Sequence, residues 1–130
     1  MKLIDDSQCF ACGMDNPDGL RIPWKVEGNT MTGEFTCPKK FQGWKGIVHG
    51  GIISTLLDEA MTRLAGVLFG SAVTAEMTVR FIKPAPIGEK LLIKGELVKN
   101  AKRMAEMQAT IHLENGTLIA RSSGKAMKIS

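Results

Sequence analysis

Hydrophobic and polar residues follow two periods along this chain. From His49 to Phe69 (HGGIISTLLDEAMTRLAGVLF) the apolar positions Ile52, Ile53, Leu56, Leu57, Ala60, Met61, Leu64, Val67 and Leu68 recur at three- and four-residue spacing. That spacing predicts a helix buried along one broad face. Ser54, Thr55, Asp58, Glu59, Thr62 and Arg63 fall on its other side. Gly50 and Gly51 open the helix, and Gly70 closes it in the usual place for a left-handed cap.

Beyond Gly70 the period falls to two. Val73, Ala75, Met77, Val79 and Phe81 alternate with Thr74, Glu76, Thr78 and Arg80, the pattern of a half-buried strand. Pro84 to Gly88 ends it. Leu91 to Lys99 is a second strand, in which Gly95 suggests a bulge. Ala105 to Leu113 alternates cleanly, Asn115-Gly116 signals a two-residue hairpin turn, and Thr117 to Ile129 forms the last strand. Ahead of the helix, Leu20–Val26 and Thr30–Cys37 make an antiparallel pair joined by Glu27-Gly28-Asn29, the first an edge strand because it contains Pro23. Residues 1–19 form an opening loop. The order has no strand–helix–strand alternation, which excludes a doubly wound parallel sheet. What remains is an α+β fold, one long helix covered by an antiparallel sheet of about six strands, in a single domain over 1–130.

Composition narrows the class. A chain of 130 residues, 44% hydrophobic and 23% charged, can build one core and is short enough to gain from oligomerising. No apolar run approaches the roughly 20 residues of a membrane span, and MKLIDDSQCF lacks a signal-peptide core. A cytoplasmic chain without membrane contact is expected. The net charge of +4 is scattered, aromatics make up 5%, and tyrosine is absent, so nucleic acid is not an expected partner. A polyanionic small molecule remains compatible.

Cys9, Cys12 and Cys37 are an odd count without a secretion signal, which argues against a disulfide framework. Cys9-Phe10-Ala11-Cys12 is a lone CxxC. Zinc would need two further ligands, and only Cys37, His49 and His112 offer sulfur or imidazole, so no metal site and no cofactor is expected. The turn residues from Gly13 to Gly19 are also wrong for a redox CxxC, which opens a helix.

On the helix, Glu59 and Arg63 stand four residues apart in the favourable order, which assigns Glu59 to a surface ion pair. Asp58 has no such partner and lies toward the apolar border, so it is either a candidate base or nucleophile or a solvated carboxylate. The amides of Gly50 and Gly51 could hold a developing oxyanion; the plainer reading is a tight turn or close packing. His49 could orient a substrate carbonyl or simply bond the loop, and His112 belongs to a strand's polar face. GxSxG and HExxH are missing. Asp58 lies nine residues past His49, roughly 13 Å along the axis and about 180° around it. A reacting carbon must sit within about 3 Å of both nucleophile and oxyanion donor. One helix cannot do both jobs, so a real site implies an isologous dimer with two shared sites.

The stretch Phe41-Gln-Gly-Trp-Lys-Gly-Ile-Val-His-Gly-Gly-Ile-Ile-Ser-Thr-Leu-Leu-Asp-Glu-Ala60 resembles the hotdog-fold acyl-CoA thioesterases of the PaaI-like group. Cys9-Phe-Ala-Cys-Gly13, Asn16-Pro-Asp-Gly-Leu20 and Thr74 to Pro84 extend the resemblance over most of the chain. It implies a long helix wrapped by an antiparallel sheet, paired into homodimers and often homotetramers, with an acyl-CoA or related thioester as substrate. It makes Asp58, not Glu59, the nucleophile or general base, and Gly50 the oxyanion donor beside His49. Thr62 and Thr74 match the hydroxyls that relatives place near the acid, and Gly51 and Gln42 complete the substrate-binding set. Several relatives carry Asn or Gln six residues before the histidine, where this chain has Gly43. Either Gln42 substitutes from a shifted loop or the hydrolytic apparatus is incomplete. Lys83 or Lys39-Lys40 would hold the CoA phosphates. The expectation is a thioesterase; the competing readings are a non-catalytic acyl-ligand binding module on the same fold and a hydratase built on His49 and Asp58.

Overall fold

The computed structural model describes residues 3–129; Met1, Lys2 and Ser130, part of the expected 1–130 span, lie outside the described residues. In chain order the elements are β1 (Lys25–Glu27), β2 (Thr30–Thr36), a 3-10 turn at Lys39–Phe41, α1 (Gly50–Phe69), β3 (Ser71–Phe81), β4 (Lys90–Asn100), β5 (Met104–Leu113) and β6 (Leu118–Ile129). The strands form one six-stranded antiparallel sheet in the order β1-β2-β4-β5-β6-β3. Between β2 and β3 the chain passes over β4, β5 and β6 to the far edge of the sheet, and α1 is that crossing. No helix among the described residues is long and apolar enough to cross a membrane.

Helix and sheet meet through complementary periods. Ile53, Leu56, Leu57, Ala60, Met61, Leu64 and Ala65 are buried on α1. They pack against the inward alternates of the central strands, among them Met31, Phe35, Leu91, Ile93, Met107 and Ile111. The predicted stripe drifts at its end: Val67 is 56% exposed and Ala65 is buried instead. Successive four-residue steps through Ile53, Leu57, Met61 and Ala65 keep one row over the sheet, and Val67, two residues past Ala65 and so about 200° around the helix from it, faces away.

Three strand expectations need correction. The segment expected over Leu20–Val26 contributes only Lys25–Glu27 to the sheet, because Pro23 has no N–H to give and Leu20 and Ile22 turn into the core. Gly95 is not a bulge; it pairs in register with Met31 and Ala109, and the break in β4 falls between Leu97 and Lys99. A Cβ at Gly95 would lie 2.2 Å from the Ala60 carbonyl oxygen, so glycine is required where the helix seats on the sheet. The β5–β6 connection uses three residues, 114–116, with Leu113 N–H donating to Thr117 O at 2.9 Å and Gly116 at φ 91.

From Leu3 to Trp24 the chain has no helix or strand. Its shape comes from hydrogen bonds such as Gly13 N–H to Cys9 O (2.8 Å) and Leu20 N–H to Phe10 O (2.7 Å), with Ala11 buried beneath. This loop lies on α1 beside Asp58 and Glu59.

Candidate active site

His49 caps α1. Its Nδ1 accepts from Gly51 N–H at 2.8 Å, while its carbonyl takes the Ile52 and Ile53 amides. An accepting Nδ1 places the imidazole proton of the neutral ring on Nε2, leaving an N–H donor at the helix mouth. The two glycines thus differ in role. A Cβ on Gly51 would stand 3.1 Å from His49 Nδ1, and the Gly51 amide is already engaged in the cap. The Gly50 amide has no acceptor among the described residues. It opens on an apolar groove of ≈ 620 Å³ lined by Trp44, Ile47, Ile53, Phe81 and Ile119, with Lys83 at its margin.

Asp58 sits two turns along the helix, half-buried. Its Oδ1 accepts from Thr62 Oγ1 at 3.2 Å and from Thr74 Oγ1 at 2.5 Å, and the two hydroxyls also lie 2.5 Å apart. Thr62 comes from the next turn of α1, as four-residue spacing dictates. Thr74 comes from β3, immediately before a register shift between Thr74 and Glu76 that bends the strand. Oδ2 has no hydrogen-bond partner among the described residues. The carboxylate is therefore fixed by one oxygen, and Asp58 lines a groove of ≈ 700 Å³.

The grooves at Gly50 and at Asp58 share no residue. Within one chain the structure brings Asp58, Thr62 and Thr74 together, and His49, Gly50 and Gly51 together, but does not join the two groups. Gln42 belongs to neither. Its Oε1 accepts from Gly46 N–H at 3.2 Å, which braces the loop before the helix. At Gly43 a Cβ would come within 3.3 Å of His49 Cα, so this loop conformation leaves little room for a side chain there.

Glu59 departs from expectation. Among the described residues it makes no ion pair with Arg63; it turns under the opening loop, where Cys9 Sγ donates to Glu59 Oε1 at 3.9 Å. Arg63 instead places Nη1 3.1 Å from Cys12 Sγ. Burial, and then the neighbouring Asp58 charge, push the Glu59 carboxyl above the usual carboxylate range, against hydrogen bonds from Cys12 and Cys9 and the Arg63 charge. Burial, reinforced by Glu59, pushes the Cys12 thiol up to about 12, and burial alone raises Cys37. The sequence reading missed this cluster because it sought sulfur and imidazole partners for the CxxC and gave the carboxylate to a surface pair.

A long helix laid across a six-stranded antiparallel sheet defines a hotdog-fold domain, here with a hydroxyl-held carboxylate on the helix and an unengaged amide at its start. The family model described as thioesterase superfamily matches residues 45–120, more than half of the chain, and the chain belongs to that superfamily. Acyl-coenzyme A thioesterase THEM4 of Bos taurus is 24% identical over 131 aligned positions, covering 97% of this chain and 53% of that protein. Acyl-coenzyme A thioesterase 13 of Mus musculus is 32% identical over 81 positions, covering 58% of this chain and 56% of that protein. The chain spans about half the length of these curated relatives. Among solved structures, the E. coli PaaI protein from the phenylacetic acid degradation operon superposes with a TM-score of 0.80 at 20% identity, over 85% of this chain and 81% of that one. A Streptococcus pneumoniae hypothetical thioesterase solved with coenzyme A gives 0.77 at 20% identity, over 82% and 86%.

Proposed function

We propose that this protein hydrolyses an acyl thioester of coenzyme A to a free acid and a thiol, at a site completed by two copies of the chain. The observation that carries the reading is the Asp58 carboxylate, held on Oδ1 by Thr62 and Thr74 with Oδ2 unengaged, on a residue that lines an open groove. Two hydroxyl bonds orient a base without neutralising it.

The substrate carbonyl oxygen would accept from Gly50 N–H, where aligned peptide dipoles favour negative charge. Oδ2 of Asp58 from the second copy takes a proton from water as the water oxygen attacks the carbonyl carbon. The tetrahedral intermediate collapses by breaking the C–S bond, and the departing thiolate recovers the proton from the Asp58 carboxylic acid. The apolar groove beside Gly50 suits the acyl group, and Lys83 at its margin suits a phosphate. His49 Nε2–H is a second donor at the helix mouth. Gly51 and Gln42 act one step back, shaping the cap and the loop.

Sheet topology supports the pairing. β3 is an outer strand of eleven residues, with Thr74 near one end and Phe81, which touches the Gly50 groove, at the other. An open edge of that length is a template for another strand. If two β3 strands pair antiparallel about a twofold near Met77, each Thr74 lies opposite the far end of the other strand. Asp58 of one copy then faces Gly50 of the other, across what is otherwise roughly 23 Å of strand. Isologous pairing gives two equivalent sites per dimer, and dimers could stack further into tetramers.

The test is thiol release from a panel of short, medium and aromatic acyl-CoAs by the wild-type protein and Asp58→Ala. Turnover that disappears in the variant supports the reading; no wild-type turnover on any substrate overturns it. A second reading, a non-catalytic acyl-ligand binding module, draws on the bracing role of Gln42 and on Gly43, which leave the loop without a free amide side chain near His49. Tight acyl-CoA binding without turnover would favour it.

A further inference from the structure

Cys9, Cys12 and Glu59 lie outside the chemistry proposed above. Their Sγ, Sγ and carboxylate oxygen atoms all fall within 4.8 Å of one another, and all three residues are half-buried. We propose that they bind a divalent cation of the zinc class, which staples the opening loop to α1 beside Asp58.

The donor spacing fits. In a tetrahedral site with Zn–S near 2.3 Å and Zn–O near 2.0 Å, donor atoms stand about 3.5–3.8 Å apart. Cys9 Sγ already lies 3.9 Å from Glu59 Oε1. The peptide around the cysteines is built to hold both sulfurs on one side. Gly13 N–H returns to Cys9 O at 2.8 Å, and a Cβ on Gly13 would sit 2.4 Å from Cys9 N, so the turn after the second cysteine admits only glycine. The third donor comes from a different element fifty residues on, so the cluster is not an accident of local sequence.

The chemistry fits as well. Two thiolates and a carboxylate form a borderline-soft set that selects zinc over magnesium or calcium. Arg63 Nη1, 3.1 Å from Cys12 Sγ, is placed as an outer-shell donor to a coordinated sulfur. With Arg63 included, the three anionic donors and one dication balance to zero. Binding releases the two thiol protons and forms two M–S bonds and one M–O bond, with no change in oxidation state. Without the ion, the half-buried Glu59 carboxylate accepts only from thiols, weak donors, among the described residues. The fourth position is open to water. This proposal does not depend on thioester hydrolysis, and its test reads metal rather than activity.

The full-length chain, reduced and stripped with chelator, is titrated anaerobically with Co²⁺ and then with Zn²⁺. The expected result is one Co²⁺ per chain with a thiolate-to-cobalt charge-transfer band, displaced by Zn²⁺. Cys9→Ser and Cys12→Ser lose the band, and Cys37→Ala keeps it. Loss of an outer-shell partner alone costs roughly 10–100-fold in metal affinity, so Glu59→Gln is expected to weaken binding by at least about tenfold. Failure of the reduced wild-type chain to take up stoichiometric Co²⁺ or Zn²⁺ overturns the proposal. So does wild-type affinity in Glu59→Gln, whose fold is checked by circular dichroism and which stands if the cysteine variants do not fold. A Cys9–Cys12 disulfide whose reduction yields no metal uptake overturns it equally.

Discussion

Thr74 Oγ1 stands 2.5 Å from Asp58 Oδ1, and with that contact an edge strand grips the carboxylate of the helix it packs against. The bond fixes the rotation of the carboxyl group and so the direction in which Oδ2 points. Asp58→Asn should lower kcat by roughly 10²–10⁴, the usual contribution of a positioned general base. Thr74→Val should lower it by less while leaving Asp58 in place, and the melting temperature should move little because Thr74 is exposed. Thiol-release kinetics and thermal melts on the same preparations check both. A Thr74→Val enzyme with wild-type kcat would show that the contact does not orient the base.

Gly50 allows its amide to be removed with little other change. It is the first residue of α1, where proline is well tolerated, and the preceding His49 has φ -58 and ψ 136, the extended geometry that proline requires of its neighbour. Gly50→Pro should therefore fold and melt normally. Loss of one oxyanion donor should reduce kcat by about 10²–10³. Gly50→Ala keeps the N–H and meets only Phe81 at 3.6 Å, so it should retain most activity.

A shared site predicts complementation. Asp58→Ala and Gly50→Pro each disable both sites of their own homodimer. In a mixed dimer one site pairs an intact Gly50 with an intact Asp58, and the other has neither. Random exchange of subunits should restore about one quarter of wild-type activity. Mixing unfolded and refolded chains, then assaying, measures it; no recovery would place both groups in one chain, against the helix geometry.

Gly95→Ala should destabilise without touching the site. The added methyl would fall 2.2 Å from Ala60 O, a backbone atom that cannot rotate away. Overpacking of this kind costs about 1–3 kcal/mol. A urea midpoint below wild type, with unchanged slope, is the expected reading. Gly124→Ala should be milder, because its nearest neighbours, Glu76 O at 3.0 Å and the flexible end of Met61 at 3.1 Å, leave more room than Ala60 O leaves at Gly95.

Residues that satisfy a period were legible in the sequence; residues that satisfy a neighbour distant in the chain were not. Most of the α1 stripe, the place of the β5–β6 turn and the order of elements follow from local spacing, whereas the length of that turn, three residues and not two, is set by the Leu113–Thr117 pairing across it. Gly95 looked like a bulge because strand context alone cannot show that Ala60 presses on it. Glu59 looked paired because Arg63 stands one turn away, whereas burial against Cys9 and Cys12 comes from a loop fifty residues upstream. Val67 obeyed the helical pattern, and only the extent of the sheet shows that the pattern had outrun its support. Thr74 was a candidate by resemblance, and the register shift after it, which sequence does not reveal, is where the strand bends beside Asp58.

The seat of Ala60 on Gly95 also ties the two ends of the helix to the sheet unequally. The close contact lies two residues from Asp58 but about 15 Å along the axis from Gly50. If α1 tilts on the sheet about this contact, Asp58 moves least and the Gly50 amide moves most.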